Sequence, residues 1–175
     1  MVYRKLRIEE AERISEIDAT DYIKNAWRFN DVTGEYNLVE INWTDKELPN
    51  GFEWHLKRLK DTLINGGTAF GCFEKDLLIG YGTVNKEFIG KKEPYALLDQ
   101  LFVSKNQRGK GIGKTLFLMC AKQAKEYGAV KLFLCSASAE NTIAFYKKVG
   151  CVPATERNEQ LYKEDSVSIQ LEYLC

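Results

Sequence analysis

The sequence has little of what metal sites, disulfide frameworks and membrane spans require. It contains one histidine, and its five cysteines are odd in number and show no C-x-x-C spacing. No stretch of about 18 consecutive apolar residues occurs, and no apolar run follows the basic start at 1–8 as in a secretion signal. We therefore expect no metal ion, reduced cysteines, no membrane-spanning segment and a cytoplasmic location.

The sequence also lacks an excess of charge of either sign. Lysine plus arginine and aspartate plus glutamate each number 25, so the formal net charge is zero. No overall field attracts nucleic acid or an anionic membrane, and we expect neither as a partner. The 175 residues suit one domain, spanning 1–175.

Apolar spacing predicts a single α+β domain built on a mixed sheet flanked by helices. No regular structure is predicted between Thr20 and Pro49, except for a turn at 30–34. From Lys86 to Pro94 we expect a polar loop. The predicted helices are 9–18, 50–65, 112–127 and 140–149, and the predicted strands are 2–8, 68–74, 77–84, 95–103, 130–135 and 167–173.

The turn from Ser104 to Lys114 has an anion-binding composition. It holds four basic residues, no acidic residue and three alternating glycines. Glycines let successive N–H groups point into one concavity, and the following helix adds its positive N-terminal end. A Walker A loop is excluded because Arg108 stands where its first glycine would be, and the dinucleotide fingerprint fails because Lys114 and Leu116 are not glycine. Read alone, the turn is also compatible with an ordinary structural loop.

Two motifs resemble signatures of the GNAT superfamily of acyl-CoA-dependent N-acyltransferases. The first is Arg-x-x-Gly-x-Gly, formed by Arg108, Gly111 and Gly113 after a hydrophobic strand. The second runs from Asn141 through Tyr146 to Gly150, and departs from the family pattern only at Cys151, where the family has an aromatic residue. The resemblance implies a mostly antiparallel mixed sheet with a central strand-loop-helix-strand acyl-CoA core at 95–151.

The resemblance further implies transfer of an acetyl group from acetyl-CoA, as acyl-donor cosubstrate, to a primary amine by direct attack in a ternary complex. The Leu101 N–H would donate to the thioester carbonyl, Asn141 would hold the pantetheine arm, and the Tyr146 hydroxyl would protonate the leaving thiolate. The implied cofactor-binding residues are Leu101, Phe102, Val103, Gln107, Arg108, Gly109, Lys110, Gly111, Ile112, Gly113, Lys114, Asn141 and Tyr146.

Direct attack requires a neutral amine, so a base or a water chain must accept the ammonium proton. Asp99, two residues before Leu101 on the same strand, is the first candidate, with Glu35 and Glu40 in reserve. The alternative for Asp99 is a strand carboxylate that is paired with a neighbouring lysine or solvated. A covalent route through Cys135 or Cys151 is disfavoured, because thiols in apolar runs are poor nucleophiles.

The acceptor site is predicted within 20–66. Between Phe29 and Asn50 there are five acidic residues and one basic residue, interleaved with aromatic residues. Acidic and aromatic side chains suit a small-molecule or peptide amine that carries positive charge. The alternative is a solvated acidic loop. The predicted substrate-binding residues are Glu35, Tyr36, Glu40 and Trp43.

A second function stays open, namely a non-catalytic acyl-CoA-binding or regulatory module of the same fold. A nucleotide-hydrolysing enzyme is a weaker third candidate because the Walker A glycine is missing. His55 flanks an apolar helical stripe and is left out of the predicted site. The sequence does not identify the acceptor, the acyl chain or the oligomeric state, for which a homodimer stays open.

Overall fold

The computed structural model describes residues 1–175, which form nine strands, four α-helices and two 3-10 helices at Ile8–Glu16 and Lys105–Gln107. The α-helices are α1 (Phe52–Ile64), α2 (Ile112–Tyr127), α3 (Glu140–Val149) and α4 (Glu159–Glu164). The strands are β1 (Val2–Lys5), β2 (Asp21–Asn30), β3 (Glu35–Asp45), β4 (Thr68–Glu74), β5 (Leu77–Phe88), β6 (Tyr95–Val103), β7 (Lys131–Ser136), β8 (Val152–Pro153) and β9 (Ile169–Leu174).

Seven strands form one mixed sheet in the order β1-β4-β5-β6-β7-β9-β8, while β2 and β3 form a separate two-stranded sheet. Every neighbouring pair in the large sheet is antiparallel except β6 and β7, which run parallel and are joined through α2. The predicted single α+β domain with a mostly antiparallel sheet is confirmed.

The core lies on both sides of the large sheet. On one side α2 packs through Leu116, Phe117 and Cys120. On the other side α1 and the first 3-10 helix pack around Leu59 and Ile14. Burial on both faces explains the nearly continuous apolar sequence of β6.

Helices α2 and α3 end as their sequences predict. Gly128 and Gly150 follow them with φ of 96° and 105°, a left-handed conformation that favours glycine. Helix α1 begins at Phe52 with Gly51 at the N-cap position, whereas the sequence predicted that the helix starts with Asn50 as its cap.

Strands β2 and β3 occupy a segment for which the sequence predicted no regular structure. The turn predicted at 30–34 is confirmed as the connection between them. The strands escaped prediction because apolar side chains fall on both faces of β3, as in Leu38 and Val39, so the alternation of a half-buried strand is absent.

Other differences are local. Strand β5 continues to Phe88, into the predicted polar loop, and the short elements β8 and α4 were not predicted. No helix in the structure combines the length and the apolar character needed to cross a bilayer.

Candidate active site

Strand β6 has one edge without a strand partner over its C-terminal half. It pairs with β7 only from Tyr95 to Leu97, after which the two strands separate. Ser104 N–H donates to the Ile79 carbonyl (2.9 Å), on the β5 side. Because backbone groups alternate along a strand, Leu101 and Val103 direct theirs to the opposite, unpaired edge. An extended ligand chain can add to this edge as a further strand would.

A β-bulge lies where β6 and β7 separate. Gln100 aligns with Thr83 and Leu98 with Val84, so Asp99 is the extra residue between them. Bulges redirect side chains and recur beside functional sites.

Unpaired backbone donors gather at the end of β6. No protein acceptor bonds the backbone N–H of any residue from Gly109 to Lys114, whereas Thr115 N–H already bonds the Gly111 carbonyl (3.0 Å). Gly109 and Gly111 have φ of 79° and 83°, which turns the chain into the start of α2. Such a row of donors at a helix N-terminus is a binding site for phosphate groups.

The predicted cofactor segments converge at Gly113. A side chain there would lie 3.4 Å from the Phe145 ring of α3 and 3.6 Å from the Val103 side chain of β6. The glycine loop (Ser104–Lys114), the unpaired strand edge and α3 are therefore neighbours.

The polar side chains of the loop bond one another and adjacent elements. The Arg108 guanidinium bonds the Val103 carbonyl (3.1 Å) and pairs with Asp21 (3.0 Å). Lys110 donates to Gln107 (2.7 Å). The side chains of Phe102 and Ile112 point into the core, so only their backbones face the site.

Tyr146 is buried in α3, with its ring beside Phe145 and Phe117 at centroid distances of 5.0 and 6.2 Å. Burial raises the pKa of its hydroxyl, so this group is protonated at neutral pH. No protein group bonds the hydroxyl. Tyr146 as a whole is 8% exposed. It is a proton donor without a protein acceptor.

Asn141 lies in the first turn of α3 and is exposed. Its side-chain oxygen accepts from Thr142 N–H (2.8 Å), which leaves the amide N–H groups available to a ligand.

Asp99 forms an ion pair with a basic side chain, but that side chain is Arg58 of α1 rather than a lysine. The Arg58 Nε lies 3.1 and 3.0 Å from the two carboxylate oxygens, and Nη2 also donates to Asp99. The Asp99 side chain is 4% exposed. Asp99 is thus fixed beside the bulge with both oxygens engaged.

The groups that surround this ion pair were not predicted from the sequence. Trp54 stacks on the Arg58 guanidinium at 4.6 Å, and Glu164 of α4 lies 3.9 Å from Arg58. Residues 54 and 58 are one helical turn apart on α1, which is the only signal the sequence offered.

The predicted acceptor residues lie on the β2–β3 hairpin and do not share one face. Tyr36 and Glu40 alternate onto one face of β3, and Glu35 lies on the other. A bulge with Asn42 at φ 48° returns Trp43 to the face of Glu40. The structure therefore separates Glu35 from the other three residues.

His55 is buried between Gln100 and the Pro49 carbonyl, at 2.8 and 2.6 Å, in keeping with its omission from the predicted site. Burial raises the pKa of Cys135 to about 11 and that of Cys151 to about 12, so both thiols are protonated near neutral pH. No group of three or more histidine, cysteine or carboxylate side chains is placed to hold a metal ion.

A model of the acetyltransferase (GNAT) family matches residues 30–151, more than two thirds of the chain. The chain belongs to the GNAT acetyltransferase family. The matched range contains β6, the glycine loop, α2 and α3, so the family assignment rests on the elements that build the site.

Solved GNAT-type structures share the fold across nearly the whole chain. A nourseothricin acetyltransferase superposes with a TM-score of 0.74 at 18% identity, covering 99% of this chain and 98% of that one. A Bacillus anthracis protein, assigned provisionally as a streptothricin acetyltransferase and solved with acetyl-CoA, gives 0.72 at 17% identity and 99% coverage of both chains. The PaiA N-acetyltransferase of Thermoplasma acidophilum, solved with coenzyme A, gives 0.64 at 19% identity, covering 99% and 98%. No curated protein matches the chain.

Proposed function

We propose that this GNAT protein transfers an acetyl group from acetyl-CoA to a primary amine, by direct attack while both substrates are bound. The observation that carries the proposal is the row of unpaired N–H groups from Gly109 to Lys114, located at the start of α2 and beside the unpaired edge of β6.

The loop and β6 would hold acetyl-CoA. The N–H row fits a pyrophosphate, because it offers several donors and the positive end of a helix. The Leu101 backbone and the Val103 N–H fit the amides of a pantetheine arm, while the Val103 carbonyl already accepts from Arg108. Asn141 also has free amide donors. Acetyl-CoA supplies an acetyl group activated as a thioester, and the Leu101 N–H would stabilise negative charge on its carbonyl oxygen, a contribution of about 3 kcal/mol.

Proton transfer on the acceptor side is assigned first to Asp99. It lies two residues before Leu101 on β6, the strand along which the thioester would lie. Because Arg58 engages both oxygens, the proton would reach Asp99 through water as one of these bonds opens. Glu35, Glu40 and a water chain remain the alternatives.

Tyr146 would complete the reaction by protonating the departing thiolate. Its hydroxyl carries a proton at neutral pH, and no protein acceptor competes for that proton. Its neighbour Phe145 lies against Gly113, which is itself close to Val103, so α3 borders the proposed cofactor site.

We propose a cationic acceptor. On one face of the hairpin Glu40 and Trp43 occupy neighbouring positions, and Tyr36 lies on the same face four residues before Glu40. A carboxylate with aromatic rings suits an ammonium group through ion pairing and cation–π contact. Since two proteins of the same fold are described as nourseothricin and streptothricin acetyltransferases, an antibiotic of that class belongs among the amines to be tested.

The test is a panel of amines incubated with acetyl-CoA, with release of free thiol as the readout and mass spectrometry of each amine as confirmation. The panel includes polyamines, amino acids, a streptothricin-type antibiotic and basic peptides. An amine heavier by one acetyl group supports the proposal. Tight binding of CoA without acetylation of any amine or of the protein would favour the non-catalytic acyl-CoA-binding module.

A further inference from the structure

The β2–β3 hairpin is a two-stranded sheet separate from the large sheet. Nearly all of β3 is exposed. A two-stranded hairpin is marginally stable in water on its own, so its order depends on where it is fastened.

The first attachment is to the glycine loop. Lys105 N–H donates to the Asp18 carbonyl (2.8 Å), and the Ser104 hydroxyl accepts from Asp18 N–H (3.2 Å). At the first residue of β2, Asp21 pairs with Arg108 (3.0 Å), whose Nε also bonds the Val103 carbonyl. Arg108 therefore connects β2 to the end of β6.

The second attachment is to the segment that leads into α3. Trp27 N–H donates to the Ser138 carbonyl (2.8 Å), and Ala26 forms an antiparallel bridge with Ala139. The Asn25 amide donates to Glu140 in the first turn of α3 (2.8 Å). Strand β2 therefore spans from the glycine loop to the start of α3, the two segments proposed to hold acetyl-CoA.

The ion pair has a further role at the open end of the hairpin. Asp21 lies directly opposite Asp45, and like charges in opposing positions destabilise a strand pair. Arg108 forms a salt bridge with Asp21, whereas Asp45 accepts only from the Trp43 indole (2.7 Å). Arg108 thus offsets the repulsion between the two carboxylates.

We propose that Asp21 is a positioning residue which, through Arg108, couples acetyl-CoA binding at the glycine loop to the order of the hairpin that borders the acceptor. This inference rests on the proposed function, because it assumes that the loop holds acetyl-CoA. A ligand that orders both attachment points lowers the cost of ordering the strand between them. By reciprocity, a ligand held by the ordered hairpin strengthens CoA binding to the same extent.

Hydrogen–deuterium exchange with CoA as the probe tests the coupling without knowledge of the acceptor. In the wild type, saturating CoA is expected to slow exchange in the loop and, by about fivefold or more, in 21–30 and 35–45. In Asp21→Asn the loop should still be protected, while the CoA-dependent protection of the hairpin is lost. Asp21→Glu, which keeps the carboxylate, should restore at least part of it.

Asp31→Asn is the matched control, since Asp31 is an exposed aspartate at the other end of the hairpin and forms no ion pair. It should retain full CoA-dependent protection. Protection of the loop without protection of the wild-type hairpin would overturn the coupling and leave the proposed function intact. Absence of protection in the loop itself would instead count against CoA binding there. Equal hairpin protection in wild type and Asp21→Asn would remove Asp21 from the coupling.

Discussion

Asp99 and Arg58 form an ion pair that joins the bulge of β6 to helix α1, although 41 positions separate them in the chain. Asp99 can therefore have one of two roles: it is a structural partner of Arg58, or it is the base that accepts the ammonium proton. Replacing either partner breaks the same ion pair, but only one replacement removes the carboxylate. The two explanations therefore lead to different results.

We expect Asp99→Asn to lower turnover of a verified amine by about 100-fold at neutral pH, and by more at lower pH, because an alkyl ammonium with a pKa near about 10.4 then most needs help in losing its proton. Arg58→Gln is the control, since it breaks the ion pair and keeps the carboxylate. Each variant should lose about 2 kcal/mol in free energy of unfolding. The measurement is the pH dependence of kcat. If both variants show the wild-type pH profile, the role of base passes to Glu35, Glu40 or water.

The glycine loop is tested by Gly111→Glu. A side chain at position 111 has room, because nothing lies within 4 Å of it. However, φ is 83°, which strains any residue other than glycine, and the glutamate carboxylate would lie beside the N–H row. We expect CoA affinity to fall at least about tenfold, and pantetheine, which lacks the pyrophosphate, to bind far more weakly than CoA to the wild type.

Gly34→Glu is the matched control, because Gly34 has φ of 72° and equally open surroundings at the tip of the hairpin. It should bind CoA normally. Calorimetry in the presence of EDTA gives both affinities and excludes a contribution from bound metal. Normal CoA binding by Gly111→Glu, or equal affinities for pantetheine and CoA, would remove the loop from the site.

The helices and strands of the core were predictable from the sequence because they follow local rules. The contacts of the site were not, because they depend on how remote segments pack. Helix α2 shows a repeating apolar stripe and is bounded by Gly111 and Gly128, so local rules determine it. Arg58 looks like any charged residue on the polar face of α1, and its partner is fixed only when α1 packs over β6. The attachment of Asp21 to Arg108 likewise depends on how remote segments meet.

The hairpin illustrates a different limit. Its strands have apolar residues on both faces, and no core covers either face of β3 to impose alternation. The sequence of this segment therefore indicated an acidic, aromatic acceptor region without indicating which residues share a face. That information comes from the register, in which the bulge at Asn42 brings Trp43 to the side of Glu40.

Acid stability should depend on Glu172. Burial favours the protonated form of this carboxyl, but bonds from Thr155 N–H and the Tyr95 hydroxyl, together with Lys131, outweigh it and lower the pKa to about 2. Because the folded pKa lies below the ordinary value of 4.5, the stabilisation is complete above pH 4.5 and is lost as the pH falls towards 2. Between pH 4.5 and 2 the free energy of unfolding of the wild type should fall by up to about 3 kcal/mol more than that of Glu172→Gln.

Urea unfolding at a series of pH values measures this difference. Glu159→Gln is the control, since Glu159 is exposed and pairs only with exposed Arg157. It should follow the wild-type curve. If the free energies of unfolding of wild type and Glu172→Gln fall in parallel as the pH is lowered, this carboxyl does not control stability in acid.

Tyr146→Phe removes one oxygen atom and distinguishes between an enzyme and a non-catalytic binding module. The ring packing against Phe117 and Phe145 is retained, and the hydroxyl has no protein partner to lose, so the fold and CoA affinity should be nearly unchanged. The removed group is the proposed proton donor to the leaving thiolate, and loss of a general acid costs about 100-fold or more in turnover. The effect should fall on kcat and not on acetyl-CoA binding.

Tyr127→Phe provides the converse control. The Tyr127 hydroxyl bonds the Thr68 hydroxyl (2.7 Å) and the Gly66 carbonyl (3.2 Å) near the end of α2. Its loss should lower the free energy of unfolding by about 1 kcal/mol and leave kcat unchanged. If Tyr146→Phe acetylates a verified amine as fast as wild type while the chemical step limits turnover, then Tyr146 is a packing residue and water protonates the thiolate. A large loss of kcat with unchanged CoA affinity would assign the proton to Tyr146, because the variant keeps the ring packing and removes only the hydroxyl.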